Sequence, residues 1–118
     1  MNRMKRRQDF LAAAMGVSVS MPGLVLQGRN RGDLQSARVG FTCSRKIGNA
    51  VARNRAKRRL REAARLALGL VAQPGYDYVL IGRLATAGRG FGDLQQDLKA
   101  AVARLHAGRA GASKAGQQ

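Results

Sequence analysis

The sequence predicts an α+β fold, a small mixed sheet packed with helices in the order helix, strands, helix, strand, helix. Three observations carry this expectation. In "RVGFTCS" at 38–44, Val39, Phe41 and Cys43 alternate with Arg38, Gly40 and Thr42, the period of a strand with one buried face. "YDYVLIG" at 76–82 is an almost continuous apolar run of strand length, as expected where both faces of a strand are covered. Between them lies a segment of helical periodicity, so 38–82 reads as a strand–helix–strand unit compatible with a parallel crossover.

The remaining elements follow in order. Residues 5–15, "KRRQDFLAAAM", place Phe10, Leu11, Ala14 and Met15 at helical spacing, and Gly16 closes the stretch. "SVSMPGLVLQG" is extended, with Pro22-Gly23 as a bend or an edge feature. "RNRGDLQS" is loop chemistry, and "GRNRG" at 28–32 reads either as a turn or as a second basic contact. Asn49 is placed to cap a helix that runs to about Leu68 and ends at Gly69. Pro74-Gly75 forms a turn, and "RLATAGRG" a loop. A last helix over about 91–106 puts Phe91, Leu94, Leu98, Ala101, Val102 and Leu105 on one stripe. Residues 1–106 are expected to form one domain, and 107–118, small and polar, a disordered tail.

Charge narrows the function. The chain of 118 residues carries 22 Lys plus Arg against 6 Asp plus Glu, a net charge of +16. A domain this basic repels itself, and the repulsion is relieved when a polyanion displaces its counterions. Nucleic acid leads as partner class. The basic, then apolar, N-terminal segment has the outline of a signal peptide, but Asp9, Gly16 and Pro22 interrupt it and no clean cleavage site follows. No run approaches bilayer-spanning length, so the expectation is a cytoplasmic protein without a membrane partner.

The charge concentrates in "SRKIGNAVARNRAKRRLREAAR" at 44–65, which holds nine Lys or Arg and one acid, Glu62. At ~100° per residue, Ala52, Ala56, Leu60, Ala63 and Ala67 share one stripe. Asn54, Lys57, Arg58, Arg61 and Arg65 lie opposite, with Arg53, Arg55 and Arg59 on the flanks. A solvated helix face ordinarily mixes signs, whereas Lys57/Arg61 and Arg61/Arg65 are like charges at i,i+4. Preference for Arg over Lys suits phosphate, which a guanidinium grips with two parallel hydrogen bonds. The helix start near Gly48-Asn49 adds free N–H groups for one more phosphate.

Catalysis by the chain itself has little to stand on. Cys43 and His106 are each alone, which suits core packing for the first and a surface position for the second. Asp93 and Asp97 form an i,i+4 pair early in the last helix, where Asp93 favours the helix dipole; the other acids are scattered. Two-metal nucleases need clustered carboxylates. No metal or catalytic residue is therefore expected within this chain.

The stretch "RVGFTCSRKIGNAVARNRAKRRLREAAR" closely resembles the bacterial ribonuclease P protein family, with Arg53-Asn54-Arg55 followed by Lys57-Arg58 matching its basic helical motif. The likeness extends to "KRRQDF" and "YDYVLIGR". It implies an αβββαβα fold whose basic helix joins two parallel strands by a left-handed crossover, an exception to the usual hand. It also implies a role as the non-catalytic subunit of a ribonucleoprotein endonuclease that removes the 5′ leader from precursor tRNA. The chemistry and the Mg²⁺ then belong mainly to the catalytic RNA, with no cofactor in the protein alone and no DNA partner. By position, Lys46, Arg53, Asn54, Arg55, Lys57, Arg58 and Arg61 would contact that RNA, and Arg45 and Arg65 of the same basic stretch are expected to join them. A cleft between the sheet and the first helix would hold the leader, at Phe10, Val25 and Gln27. Ala14 and Gln27 replace aromatic residues common at those family positions, which removes stacking surface. The alternative reading is a structural RNA binder such as a ribosomal protein or RNA chaperone.

Overall fold

The computed structural model describes residues 1–115, and side chains through residue 108. Five strands form one mixed sheet: β1 (Asn2–Arg3), β2 (Val17–Ser20), β3 (Leu24–Asn30), β4 (Arg38–Cys43) and β5 (Tyr76–Gly82), in the spatial order β1-β4-β5-β3-β2. The helices are α1 (Arg7–Ala14), α2 (Ala50–Ala63), a single turn α3 (Gly69–Val71) and α4 (Phe91–Ala115). β5 occupies the centre, antiparallel to β3 and parallel to β4. Its apolar run is what a central strand requires: all of it is buried except Ile81, which is half-buried. The expected strand–helix–strand unit is present, β4 and β5 being parallel neighbours joined through α2.

The two faces of the sheet are covered differently. Leu24, Leu26, Val39, Tyr76, Tyr78 and Leu80 face the main core, against Leu60, Ala63 and Leu68 from the α2 region and Leu94, Leu98 and Leu105 of α4. The other face is only partly covered, by α1. There Met4 and Ala13 form a small second core with Val79, joined by Phe10 and Ile81. Phe10 can lie this low because the sheet beneath it is glycine: a Cβ on Gly40 would sit 2.6 Å from its ring.

That contact also sets the phase of α1, and it differs from the expected stripe. Phe10 and Ala13 turn toward the sheet, while Leu11 and Met15 are exposed. The anchor is one ring seated on Gly40 rather than the longest run of apolar residues.

Three expected boundaries move. β3 runs on through Arg29 and Asn30, which pair with Asp77 and Tyr76, so the second basic loop begins at Arg31. Gly69 does not stop the basic helix. The chain passes from α2 through a π-helical stretch, Ala64–Leu68, into α3, and extends only at Ala72, where the Ala72 N–H still donates to the Leu68 carbonyl at 2.8 Å. Pro74 is the effective terminator, since it disfavours helix in the residue before it. The last helix, expected to end near 106, continues along the backbone to Ala115, in keeping with the helix-forming Ala, Arg and Lys there. Residues 116–118 of the expected tail lie outside the described residues.

A buried ion cluster ties these parts together. Asp77 on β5 is fully buried, and its carboxylate accepts from Arg38 at 2.7 and 2.8 Å and from Arg31 at 2.6 Å. Arg38 continues to Asp9 of α1 at 3.3 Å, and Arg31 to Asp33 at 2.9 Å. The "GRNRG" arginine Arg31 is thus turned inward as a structural residue and is not a second surface contact. Burial raises the carboxyl pKa of Asp77, but the hydrogen bonds and charges of Arg38 and Arg31 outweigh it and leave it below its ordinary value of 3.8.

Asp77→Asn should therefore cost about 3 kcal/mol at neutral pH, measured by urea unfolding, because two arginines lose their buried counter-charge. The carboxylate's contribution is complete above its unfolded pKa and is lost as pH falls through the lower folded value. The stability gap between wild type and variant should accordingly close as the pH is lowered past about 4. A gap independent of pH would show that charge at Asp77 is not what holds these arginines.

Candidate nucleic-acid interface

The basic helix is set up by its own first residues. Ser44 Oγ accepts from the Lys46 N–H at 3.2 Å and starts a 3₁₀ turn over Arg45–Ile47. Gly48, at φ +117, reverses the chain in a conformation that side chains disfavour. Asn49 Oδ1 then accepts from the Ala52 N–H at 3.0 Å, the expected cap.

Phase sorts the helix as expected. Ala56, Leu60, Ala63 and Ala67 are buried and Ala52 half-buried. The alanines allow close approach: a Cβ on Gly82 of β5 would lie 3.3 Å from that of Ala56. Asn54, Arg55, Arg58, Arg61 and Arg65 line the outer side, and Arg53 and Lys57 are half-buried on its edge. Glu62 is exposed among them and pairs with Arg65 at 2.5 Å, leaving the surrounding arginines to solvent.

Arg59 is different. Its guanidinium donates to the Arg89 carbonyl and lies 5.8 Å from the centre of the Phe91 ring. It braces α2 against the segment leading into α4 and does not join the outer stripe. Cys43 is half-buried, as core packing predicts, with its thiol against the Arg53 carbonyl at 3.4 Å. Burial pushes that thiol's pKa up, away from nucleophilic character. His106 departs from its expected surface position. Its Nε2 lies 2.9 Å from Tyr78 Oη, and its ring meets Tyr76 edge-on at 4.6 Å. The Asp93/Asp97 pair separates in role, with Asp97 accepting from the Gly23 N–H at 3.0 Å and from Arg89 Nε at 2.8 Å. Among the described residues no three His, Cys, Asp or Glu side chains converge in a metal-holding group.

The half-covered face of the sheet forms a trough of two adjoining concavities. One, of about 430 Å³, is lined by Arg7, Phe10, Leu11, Gln27, Thr42 and Ile81 among others. Its neighbour, about 490 Å³, includes Val25, Ser44, Lys46, Ile81 and Arg83. Phe10 and Gln27 thus share the first, Val25 lies in the second, and Ile81 belongs to both. Lys46 stands at the rim of this trough and is set apart from the helical stripe. Ala14 is exposed and does not line it; Leu11 does. Arg7, Thr42, Ile81 and Arg83 were not among the residues expected from the sequence. For Thr42 and Ile81 the signal was their place on β4 and β5, usable only once the strand order is known, since Thr42 pairs with Ile81 and Ile81 with Val25.

A mixed sheet carrying a guanidinium-rich helix on one face and a cation-rimmed, partly apolar trough on the other has the charge and shape of a nucleic-acid-binding protein. The ribonuclease P family model matches residues 1–106, and the chain belongs to that family. The ribonuclease P protein component of Ruegeria pomeroyi is 54% identical over 107 residues, covering 88% of this chain and 86% of that one. That of Caulobacter vibrioides is 50% identical over 106 residues, covering 89% and 71%. Among solved structures, the Thermotoga maritima protein superposes with a TM-score of 0.71 at 29% identity, covering 89% of this chain and 98% of that one. The Staphylococcus aureus protein gives 0.70 at 27% identity, covering 89% and 97%. The chain is therefore a protein component of ribonuclease P, a subunit of an endoribonuclease.

Arg59→Ala should lower stability by about 1–2 kcal/mol in thermal or urea unfolding, because a charged hydrogen bond and a ring interaction disappear. Arg58→Ala, on the outer stripe, should stay within about 0.5 kcal/mol of wild type. Equal effects would mean that Arg59 belongs to the surface stripe after all.

Proposed function

We propose that the outer face of α2 docks this subunit on the catalytic RNA of ribonuclease P, and that the trough beside α1 holds the 5′ leader of precursor tRNA. One observation carries the reading: Asn54, Arg55, Arg58, Arg61 and Arg65 are presented together, with a single acid among them. Such a face has no internal reason to exist, since its like charges repel along the helix. Arg45 and the half-buried Arg53 and Lys57 extend it toward the helix start. Lys46 belongs to the trough and would guide the strand between the two surfaces.

Within the trough the floor is Val25, Ile81 and Thr42, with Phe10 at one end. One ring, with Gln27 where family members often carry an aromatic residue, offers little stacking. Holding the leader then rests on the backbone charge of the strand, at Arg7, Lys46 and Arg83, and on shape. Catalysis belongs to the RNA. Five of the six acids are held in ion pairs, so Mg²⁺ is assigned mainly to the RNA. The protein contributes by neutralising phosphate where RNA and substrate converge, lowering the divalent cation that assembly needs. The described helices include none long and apolar enough to cross a membrane, and the reading places the protein with its substrate in the cytoplasm.

Adding the purified protein to its catalytic RNA should restore precursor-tRNA cleavage at a Mg²⁺ concentration where the RNA alone is inactive; no restoration would overturn the reading. Co-purification of ribosomal subunits in place of one catalytic RNA would favour a structural RNA binder. The double change Arg55→Ala with Arg58→Ala should weaken binding to the catalytic RNA and flatten its salt dependence, by roughly one unit of log–log slope for each phosphate no longer neutralised. Phe10→Ala should raise KM for a precursor with a leader, with little change in the Kd of the holoenzyme for a leaderless tRNA.

A further inference from the structure

A third concavity lies beside the outer stripe, which lends it Arg61 and Arg65, and across the sheet from the trough, with Phe41 bordering both. It lies on the α2 side of the sheet, has a volume of about 450 Å³, and is lined by Met1, Arg3, Val39, Phe41, Arg61, Ala64, Arg65 and Gly69. Two features mark it as more than a gap between elements. Its base is apolar and contains a half-buried aromatic ring, Phe41, with the Arg3 guanidinium over that ring at 5.4 Å. Its α2 wall is the π-helical stretch that begins at Ala64, a widened helical turn of the kind that recurs at functional sites.

The wall opposite α2 comes from β1, which runs parallel to β4, with Asn2 beside Arg38 and Arg3 beside Val39. The Met4 N–H donates to the Val39 carbonyl at 2.8 Å, fixing that segment. At the mouth stand Arg61, which makes no ion pair among the described residues, and Arg65, which is held by Glu62 at 2.5 Å. An apolar slot holding one ring and rimmed by guanidinium groups has the chemistry of a nucleotide receptacle. The slot takes the flat base, and the rim takes the phosphate that follows it.

We propose that this concavity receives the base of one unpaired nucleotide of the catalytic RNA, against Phe41 and Ala64 and beside the Arg3 guanidinium, while the phosphate that follows rests on Arg61, a contact of the outer stripe that persists whether or not the base is seated. The inference rests on the docking role of α2 given above. It assigns the nucleotide to the catalytic RNA and not to the leader, because the concavity and the trough lie on opposite faces of the sheet. It adds to the helix an interaction whose strength comes from stacking and burial, and which is therefore largely independent of salt.

Gly69→Phe tests it without disturbing the fold. Gly69 is helical at φ −58, and a Cβ there meets nothing within 4 Å, so a ring can be added at the pocket wall. The variant should bind the catalytic RNA about tenfold more weakly at every salt concentration, with the salt slope unchanged. Binding of precursor tRNA by the assembled holoenzyme should be unaffected. An unchanged Kd, a reduced slope, or a loss confined to precursor binding would each overturn the proposal. A second measurement needs only the free full-length protein. Adenosine 5′-monophosphate should shift the amide resonances of Arg3, Phe41, Ala64 and Gly69, and ribose 5-phosphate should not. Equal shifts with both would reduce the site to a phosphate contact and overturn the proposal. Wild-type protein that binds no catalytic RNA would instead count against the docking role of α2, and the nucleotide titration would still decide the pocket.

Discussion

A single buried carboxylate organises the face of the sheet that α1 covers. Asp77 sits at the start of the central strand with no exposed surface, and it can remain ionised there only because Arg31 and Arg38 reach it from two sides. Arg38 is also the link to Asp9, so the orientation of α1 across the sheet is coupled to the same charge. The depth of the trough follows: Phe10 is on the helix that Asp9 tethers, and it rests on Gly40 of the strand that carries Arg38. The ends of β3, β4 and α1 and the centre of the sheet are thereby fixed relative to one another through one hydrogen-bonded network.

The acids are used economically throughout. Asp77, Asp9 and Asp33 neutralise arginines around the sheet, and Asp97 holds Arg89 where the chain enters α4. Only Glu62 lies on the basic helix. The distribution leaves Arg31, Arg38 and Arg89 compensated and, apart from Arg65, the outer arginines of α2 not, so the field of the molecule is concentrated along α2 and at the trough rim. The net charge of +16 is consequently a property of particular surfaces.

Much of this was legible in the residues because it depends on local periodicity. The doubly covered run at 76–82 and the alanine stripe of α2 are one-dimensional signals that appear as expected; the strand at 38–43 forms too, but its burial does not alternate, because Gly40 beneath Phe10 is as buried as Val39. Arg31 and Arg59 were not legible in that way. A guanidinium turned inward looks, in sequence, like one turned outward; only the partners, Asp77 far along the chain and the Arg89 carbonyl, distinguish them. The phase of α1 failed for a related reason. Leu11 and Met15 extend an apolar pattern, yet the helix is oriented by the fit of Phe10 to a glycine on a strand not adjacent in sequence. Gly69 carried the ordinary signature of a helix end, but the residues beyond it stay helical until proline intervenes. In the candidate interface, the composition of the helix was readable and the division of Lys46 from it was not.

The sheet order has a consequence for the time this subunit spends without its partners. The outermost strands, β1 of two residues and β2 of four, are the shortest of the five, while the long apolar strand β5 is enclosed on both sides. Edge strands offer unpaired N–H and C=O groups to any passing chain, and short ones offer few. A second molecule approaching either edge also meets the repulsion between two highly cationic bodies. Geometry and charge thus both oppose edge-to-edge association of free subunits.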